Sequence, residues 1–358
     1  MKRNRLEKVL NDMEKKNISQ LIITDPSSIF YLTGKWIHPG ERMLALYINL
    51  AGKHKLFINE LFPVYEDLGV EKVWFKDTDD SIELLTNYIN KDQVIGIDKN
   101  WPAKFLLKLM EHNAAKGYIN GSDIIDEIRM KKDEEEKELM RKASKINDEA
   151  IERLINIIPE GLTEKEMGQR LLKIYEEIGA EGFSFEPIIA YGANAADPHH
   201  EGDNSRVKEG DCVILDIGCK YKSYCSDMTR TVFYKNIPEK SEEIYNIVLE
   251  ANNRAINMVK PGVRFCDIDK AARDYIESKG YGKYFTHRTG HSIGIDVHDL
   301  GDVSSINTDI VEPGMIFSIE PGIYLPGEVG VRIEDLVLVT EESCEVLNSF
   351  TKNGLRIE

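Results

Sequence analysis

A chain of 358 residues exceeds one ordinary compact domain and fits two. With 42% hydrophobic and 30% charged residues it has the apolar mass for packed cores, which argues against a disordered or fibrous chain. Its formal net charge of −16 repels phosphate backbones, so nucleic acid is not an expected partner; most of that charge reads as a solvated acidic surface.

The opening segment, MKRNRLEKVLNDMEKKN, has basic residues but no continuous apolar stretch and no small-residue cleavage pattern. No apolar run approaches bilayer length. The five cysteines are odd in number and lack CxxC spacing, so reduced thiols and a cytoplasmic location are expected. Cys219 and Cys225 flank a candidate turn and are expected to pack rather than bind metal.

Leu6 to Lys16 has the apolar spacing of an amphipathic helix. Residues 21–24 read as a short buried strand followed by an Asp25-Pro26 turn, with further strands over 43–49 and 55–59. A helix over 81–88, a strand over 94–98 and a helix over 103–111 complete a small α/β domain. Near Met130 the composition becomes highly charged while Leu139, Ile146, Ile151 and Ile155 keep helical spacing. A boundary near residue 125 is therefore expected, giving domains 1–125 and 126–358. The second domain is α+β in pattern. Helices are predicted over 133–157, 164–179, 241–259 and 266–279, and strands over 211–218, 224–234 and 331–339.

Two hairpins carry the chemistry. In DCVILDIGCKYKSYCSDMTRTVFY, Asp216 and Asp227 sit inside apolar strands, where a carboxylate is unfavourable unless its charge is compensated. A turn at Tyr221-Lys222 would set them directly opposite, with Cβ atoms about 5 Å apart. In IEPGIYLPGEVGVRIED, a turn centred on Gly327 would oppose Glu320 and Glu334 in the same way. Like charges at such separations call for a cation between them. Four carboxylates balance two divalent cations. Oxygen-rich ligation with one imidazole suits Mn²⁺ or Co²⁺, with Zn²⁺ as the alternative. Paired ions about 3.5–4 Å apart clamp and activate a water. Each acid alone has a blander reading as an edge, turn or solvated residue, but four at symmetric spacing favour the metal reading.

HRTGHSIGIDVHD places His287, His291 and His298 just before the glutamate hairpin, and DPHH places His199 and His200 upstream. His291 is the expected nitrogen ligand. His298 and His199 are expected acid/base or oxyanion donors, and His287 and His200 fit packing roles equally well.

The order Asp216, Asp227, His291, Glu320, Glu334 resembles the pita-bread metallopeptidases, and the preceding α/β domain with its phrase IFYLTG is similar to the Xaa-Pro branch. The resemblance implies an α+β pita-bread catalytic domain behind a creatinase-like N-terminal domain. The latter would serve oligomerisation and shape the substrate entrance. It implies bridging of the ions by Asp216 and Glu334, with Asp227 and His291 each serving mainly one ion. Glu320 would ligate and shuttle a proton, His298 would stabilise the oxyanion, and His199 would contact substrate. Arg332 would orient the carboxylate ligands.

It also implies an enzyme that cuts after the first residue of peptides with proline second, and that forms a homodimer. Some prolidases of the archaeal type carry an arginine soon after the last histidine of the motif. Here Asp302 occupies that region, and no Arg or Lys lies between His298 and Glu320. The expected activity is accordingly an Xaa-Pro aminopeptidase acting on longer peptides. The alternatives are an Xaa-Pro dipeptidase and, from another class, a non-catalytic peptide-binding module. Methionine aminopeptidase and a creatinase-like non-metal hydrolase fit less well, the first because of the extra N-terminal domain and the second because all five ligand positions are filled.

Overall fold

The computed structural model describes residues 1–353 and 355–358, and divides the chain into two compact units, Met1–Ile128 and Arg129–Glu358. The first unit is built on a six-stranded sheet. Its strands are β1 (Gln20–Ile23), β2 (Ala45–Asn49), β3 (Lys55–Asn59), β4 (Glu71–Phe75), β5 (Val94–Ile97) and β6 (Gly117–Asn120). They lie in the order β4-β3-β2-β1-β5-β6, antiparallel from β1 to β3 and parallel elsewhere. The helices are α1 (Arg3–Lys15), α2 (Pro26–Thr33), α3 (Ser81–Thr86) and α4 (Ala103–Glu111), while α5 (Ser122–Met130) crosses the division between units. Ile22, Tyr47, Phe57, Leu85, Ile95 and Leu109 share the core.

The Asp25-Pro26 turn is corrected: those residues open α2. Asp25 accepts a hydrogen bond from the Ser28 backbone N–H, and Pro26 occupies the first helical position, where its missing N–H costs nothing. Strands β4 and β6 carry no regular alternation of apolar residues and were not anticipated.

The second unit starts with α6 (Glu134–Asn156) and α7 (Glu164–Ile178). Reciprocal capping by Asp133 with Glu136, and by Thr163 with Glu166, fixes where both begin. There follow β7 (Ile188–Tyr191), β8 (Cys212–Ile217), β9 (Lys220–Tyr221), β10 (Tyr224–Cys225) and β11 (Met228–Tyr234). A second helix pair, α8 (Glu239–Met258) and α9 (Phe265–Ser278), precedes β12 (Gly290–His291) and β13 (Asp302–Val303). The chain ends in β14 (Ile316–Ile319), β15 (Gly322–Leu325), β16 (Val329–Arg332), β17 (Asp335–Val339), β18 (Cys344–Val346) and β19 (Leu355–Ile357).

Each helix pair buries an apolar stripe on strands. Ile151, Leu154, Leu171 and Tyr175 of α6 and α7 pack with Val213, Leu215 and Val232 of β8 and β11. Val248, Ala251, Ile268 and Ala272 of α8 and α9 pack with Phe317, Ile319, Val331 and Val337. Burying a side chain of this size stabilises by roughly 1.5–3 kcal/mol, so the two stripes hold the strands between the helix pairs. Cys219 and Cys225 are buried, and all five cysteines are free.

The predicted strands over 224–234 and 331–339 are each interrupted. The first breaks at Ser226-Asp227 and the second at Ile333-Glu334. Both interruptions fall on a candidate ligand.

Candidate metal centre

The aspartate hairpin turns later than expected. Lys222 and Ser223 have φ of 46° and 70°, the paired left-handed conformation of a two-residue hairpin turn. Tyr221 pairs with Tyr224, and further along Asp216 pairs with Thr229. Asp216 and Asp227 are thus diagonal neighbours, not directly opposed ones. The glutamate hairpin turns where expected, at Gly327 with φ of 76°. The β15–β16 ladder and the β14–β17 ladder are both centred on that residue, so Glu320 and Glu334 face each other in the gap between them. Gly290, before His291, has its own reason: a Cβ there would lie 1.8 Å from the Ser318 carbonyl oxygen.

These elements bring Asp216, Asp227, His291, Glu320, Glu334 and Arg332 to one pocket of about 460 Å³. His199, His287 and His298 line it as well. Asp227, His291 and Glu334 offer ligand atoms within 4.8 Å of one another, all buried. His291 Nε2 lies 3.5 Å from Glu320 Oε1 and 3.7 Å from Asp227 Oδ2. Its Nδ1 is 3.3 Å from the Ser292 carbonyl, which can only accept, so Nδ1 carries the proton and Nε2 turns a lone pair toward the two carboxylates.

The hydrogen bonding stops one oxygen short on three acids. Asp216 Oδ2 accepts from Arg332 at 2.7 Å, and Glu334 Oε2 accepts from the Thr229 hydroxyl at 2.7 Å. Their other oxygens, together with Asp227 Oδ1, are buried with no partner among the described residues. Burial and then the charges of Glu334, Asp216 and Glu320 hold the Asp227 carboxyl well above the usual range. Burial and then Glu320 and Asp216 do the same to Glu334. Burial, followed by the Arg288 charge, pushes His291 down to about 4. Orphaned carboxylate oxygens and an imidazole lone pair on residues that line one pocket fit divalent cations.

Arg332 is almost fully enclosed and uses its whole fork. Nε donates to Thr229 Oγ1 at 3.1 Å, one terminal nitrogen to the Tyr324 hydroxyl at 2.8 Å, and the other to Asp216. His298 is exposed at the mouth, with its ring at right angles to His291 and centroids 4.3 Å apart. Burial of the ring, then His291 and Arg288, lower it to about 4, so it is neutral at pH 7.

His200 is drawn elsewhere. Its Nε2 lies 2.7 Å from Glu164 Oε2, which also accepts from the Asp203 N–H at 2.8 Å. Glu164 Oε1 accepts from Tyr191 N–H and Asn194 Nδ2. Sequence reasoning passed over several residues of the pocket: Phe185, Ile188, Pro198, Arg288 and Val297. Arg288 had a legible signal, as the neighbour of His287 within HRTGH. The apolar wall had none.

Residues 5–131 match the creatinase/prolidase N-terminal domain. A Staphylococcus aureus protein described as an uncharacterised peptidase is 36% identical over 97% of this chain and 99% of its own length. The chain is similar to the prolidase of Pyrococcus horikoshii OT3 at 31% identity and a TM-score of 0.90, over 98% of this chain and 99% of that one. It is also similar to the X-Pro aminopeptidase of Thermotoga maritima MSB8 at 29% identity and a TM-score of 0.84, over 97% and 100% of the respective chains. The second unit has the pita-bread fold. Residues 138–341, which hold every candidate ligand, match the description of metallopeptidase family M24, and to that family the chain belongs.

Proposed function

We propose that the protein hydrolyses the bond between an N-terminal residue and a following proline in short peptides, using two divalent cations. The observation that carries this reading is the set of three orphaned carboxylate oxygens, on Asp216, Asp227 and Glu334, in the pocket that His291 also lines. Asp216, Asp227, His291, Glu320 and Glu334 would hold the cations. When bound, these would supply Lewis-acid activation of water and neutralise charge on the reacting carbonyl.

The chain's own groups divide the remaining work. Glu320, less enclosed than Glu334, takes and passes a proton. His298, neutral and at the mouth, donates a hydrogen bond to the developing oxyanion. His199 contacts the substrate from the opposite segment. Arg332 fixes Asp216 and keeps its second oxygen free for a cation. Phe185, Ile188, Pro198 and Val297 offer an apolar surface for the proline ring, whose tertiary amide has no N–H to satisfy. Mn²⁺ as the resident ion, a homodimer and a cytoplasmic location belong to the same reading, with the N-terminal unit serving oligomerisation and entrance shaping.

The test is release of the N-terminal residue from Xaa-Pro and Xaa-Gly peptides after chelation and return of Mn²⁺. Metal-dependent cleavage restricted to the proline series supports the proposal. Equal cleavage of both series, or cleavage that survives chelation, would sink it. A second reading, an aminopeptidase on longer peptides, is favoured by a groove of about 720 Å³ that shares Phe185, Ile188 and His199 with the pocket.

A further inference from the structure

His298 reaches the pocket from residues 293–301, a stretch with no helix or strand. Its ring lies against His291 but makes no hydrogen bond to a described residue. The backbone that carries it therefore sets where it points. At the base of the stretch the Ser292 carbonyl accepts from the Asp299 N–H at 2.9 Å, and the Ser292 N–H donates to the Gly301 carbonyl at 2.7 Å.

Two cations from the first residues of the same unit hold the rest. One terminal nitrogen of Arg129 donates to Asp296 Oδ2 at 2.6 Å and to Asp299 Oδ1 at 2.7 Å. Lys132 Nζ donates to Asp299 Oδ2 at 3.4 Å. The two acids stand on either side of Val297-His298, so a single guanidinium grips the chain before and after the histidine. The side chains of Arg129 and Asp299 are each 5% exposed and that of Lys132 is 1% exposed. Gly294 lets the backbone close over this cluster: a Cβ there would lie 2.6 Å from Asp299 Oδ2 and 3.0 Å from Lys132 Cε.

A buried ion cluster adds little net stability, because desolvation offsets most of the attraction. What it supplies here is a fixed path for a stretch that has no ladder of its own. The ligands Asp216 and Glu334 are anchored separately, by Arg332 and Thr229. Under the proposed function, on which this step rests, His298 donates to the developing oxyanion. That interaction needs a donor about 2.7–3.1 Å from the oxygen, and a misplacement of about 1 Å can cost about 10²-fold in rate.

We propose that Arg129 is a positioning residue for His298, acting through Asp296 and Asp299, and so governs the chemical step without binding substrate or metal.

The experiment is a double-mutant cycle on the Mn²⁺-loaded full chain with an Xaa-Pro peptide. It reads kcat, KM and bound metal for wild type, R129Q, H298A and R129Q/H298A. H298A is expected to lower kcat about 10²- to 10³-fold. R129Q is expected to lower kcat about 10- to 100-fold, with KM and metal content unchanged. In the H298A background R129Q costs at most about 3-fold, because a residue that acts only through His298 has nothing left to place. R129K recovers part of kcat, since the charge remains but the fork is lost. R129Q takes a partner from buried Asp299, so D296N is carried through the same cycle. Asp296 is 41% exposed, and its loss leaves the Arg129–Asp299 pair in place. D296N is expected to lower kcat about 3- to 10-fold, and only where His298 is present. The proposal is overturned if either substitution lowers kcat by the same factor with and without His298, because the cluster is then only structural. It is also overturned if R129Q loses metal, if the effect falls on KM alone, or if R129Q, D296N or H298A keeps the wild-type kcat. In all those cases the proline-directed, metal-dependent reading stands. A wild type that cleaves no Xaa-Pro peptide overturns that reading and this one together.

Discussion

Glu164, His200 and Asp203 form one cluster of metal-ligating side chains in the second unit; Asp227, His291 and Glu334 form another. The residue types are the same and the wiring is opposite. Both oxygens of Glu164 accept hydrogen bonds, two from backbone N–H groups, so the cluster is closed and serves as a knot for the segment carrying His199. In the second cluster Asp227 and Glu334, like Asp216 beside them in the same pocket, each keep one buried oxygen with no donor among the described residues. A buried anion without a donor costs several kcal/mol. A group of acids is a metal site when its acceptors are left open, and composition alone does not reveal that.

The comparison can be broken by substitution. Asp227→Asn should cut kcat/KM on an Xaa-Pro peptide by about 10³-fold or more, the loss of several kcal/mol of transition-state stabilisation. It should lower the bound-metal stoichiometry measured by elemental analysis, while raising the thermal midpoint of the metal-free protein, because a repelled buried charge is gone. Unchanged metal content would dissolve the distinction between the clusters. Arg332→Gln should cost about 10- to 100-fold in metal affinity or activity, since Asp216 loses its orienting partner; competition with a chelator of known affinity measures it.

Glu164→Gln should leave metal content alone and cost about 1–3 kcal/mol of stability in a denaturant titration, because an amide nitrogen now faces donors. Metal loss in this variant would instead mark the closed cluster as a site. A smaller effect sharpens the contrast through pH. The folded-state pKa of Glu334 is raised, so its contribution to stability is fully present below the unfolded value of 4.5 and is lost as pH rises through the folded value. The stability of metal-free Glu334→Gln relative to metal-free wild type should therefore grow from pH 5 to pH 8. A flat difference would mean that the open oxygens are not strained.

The site was legible in the sequence to different depths. The identities of the acids and histidines could be read because charged residues in apolar strands require a reason. The glutamate register could be read because Gly327 marks its own turn. The aspartate register could not, since Lys222 and Ser223 adopt left-handed conformations that their side chains do not announce. Helix α2 was hidden by a proline that reads equally as a turn and as a first helical residue. The ion pair of Arg288 with Asp302 depends on a two-residue ladder, a relation between segments that no local pattern encodes.

The shared centre of the two glutamate ladders has a consequence for how the gene can vary in length. Ile316 to Ile319 and Gly322 to Leu325 count back to the same residue, Gly327. An insertion of one codon inside β16 would move the residues beyond it by one against their partners, and a shift of one turns side chains to the other face. Glu334 would leave the pocket while Glu320 stayed. An extra residue at the exposed tip, or at Glu341 to Ser343 beyond β17, can be taken up by the loop. The strand between tip and ligand should be among the places least tolerant of a change in length, and the two turns among the most tolerant.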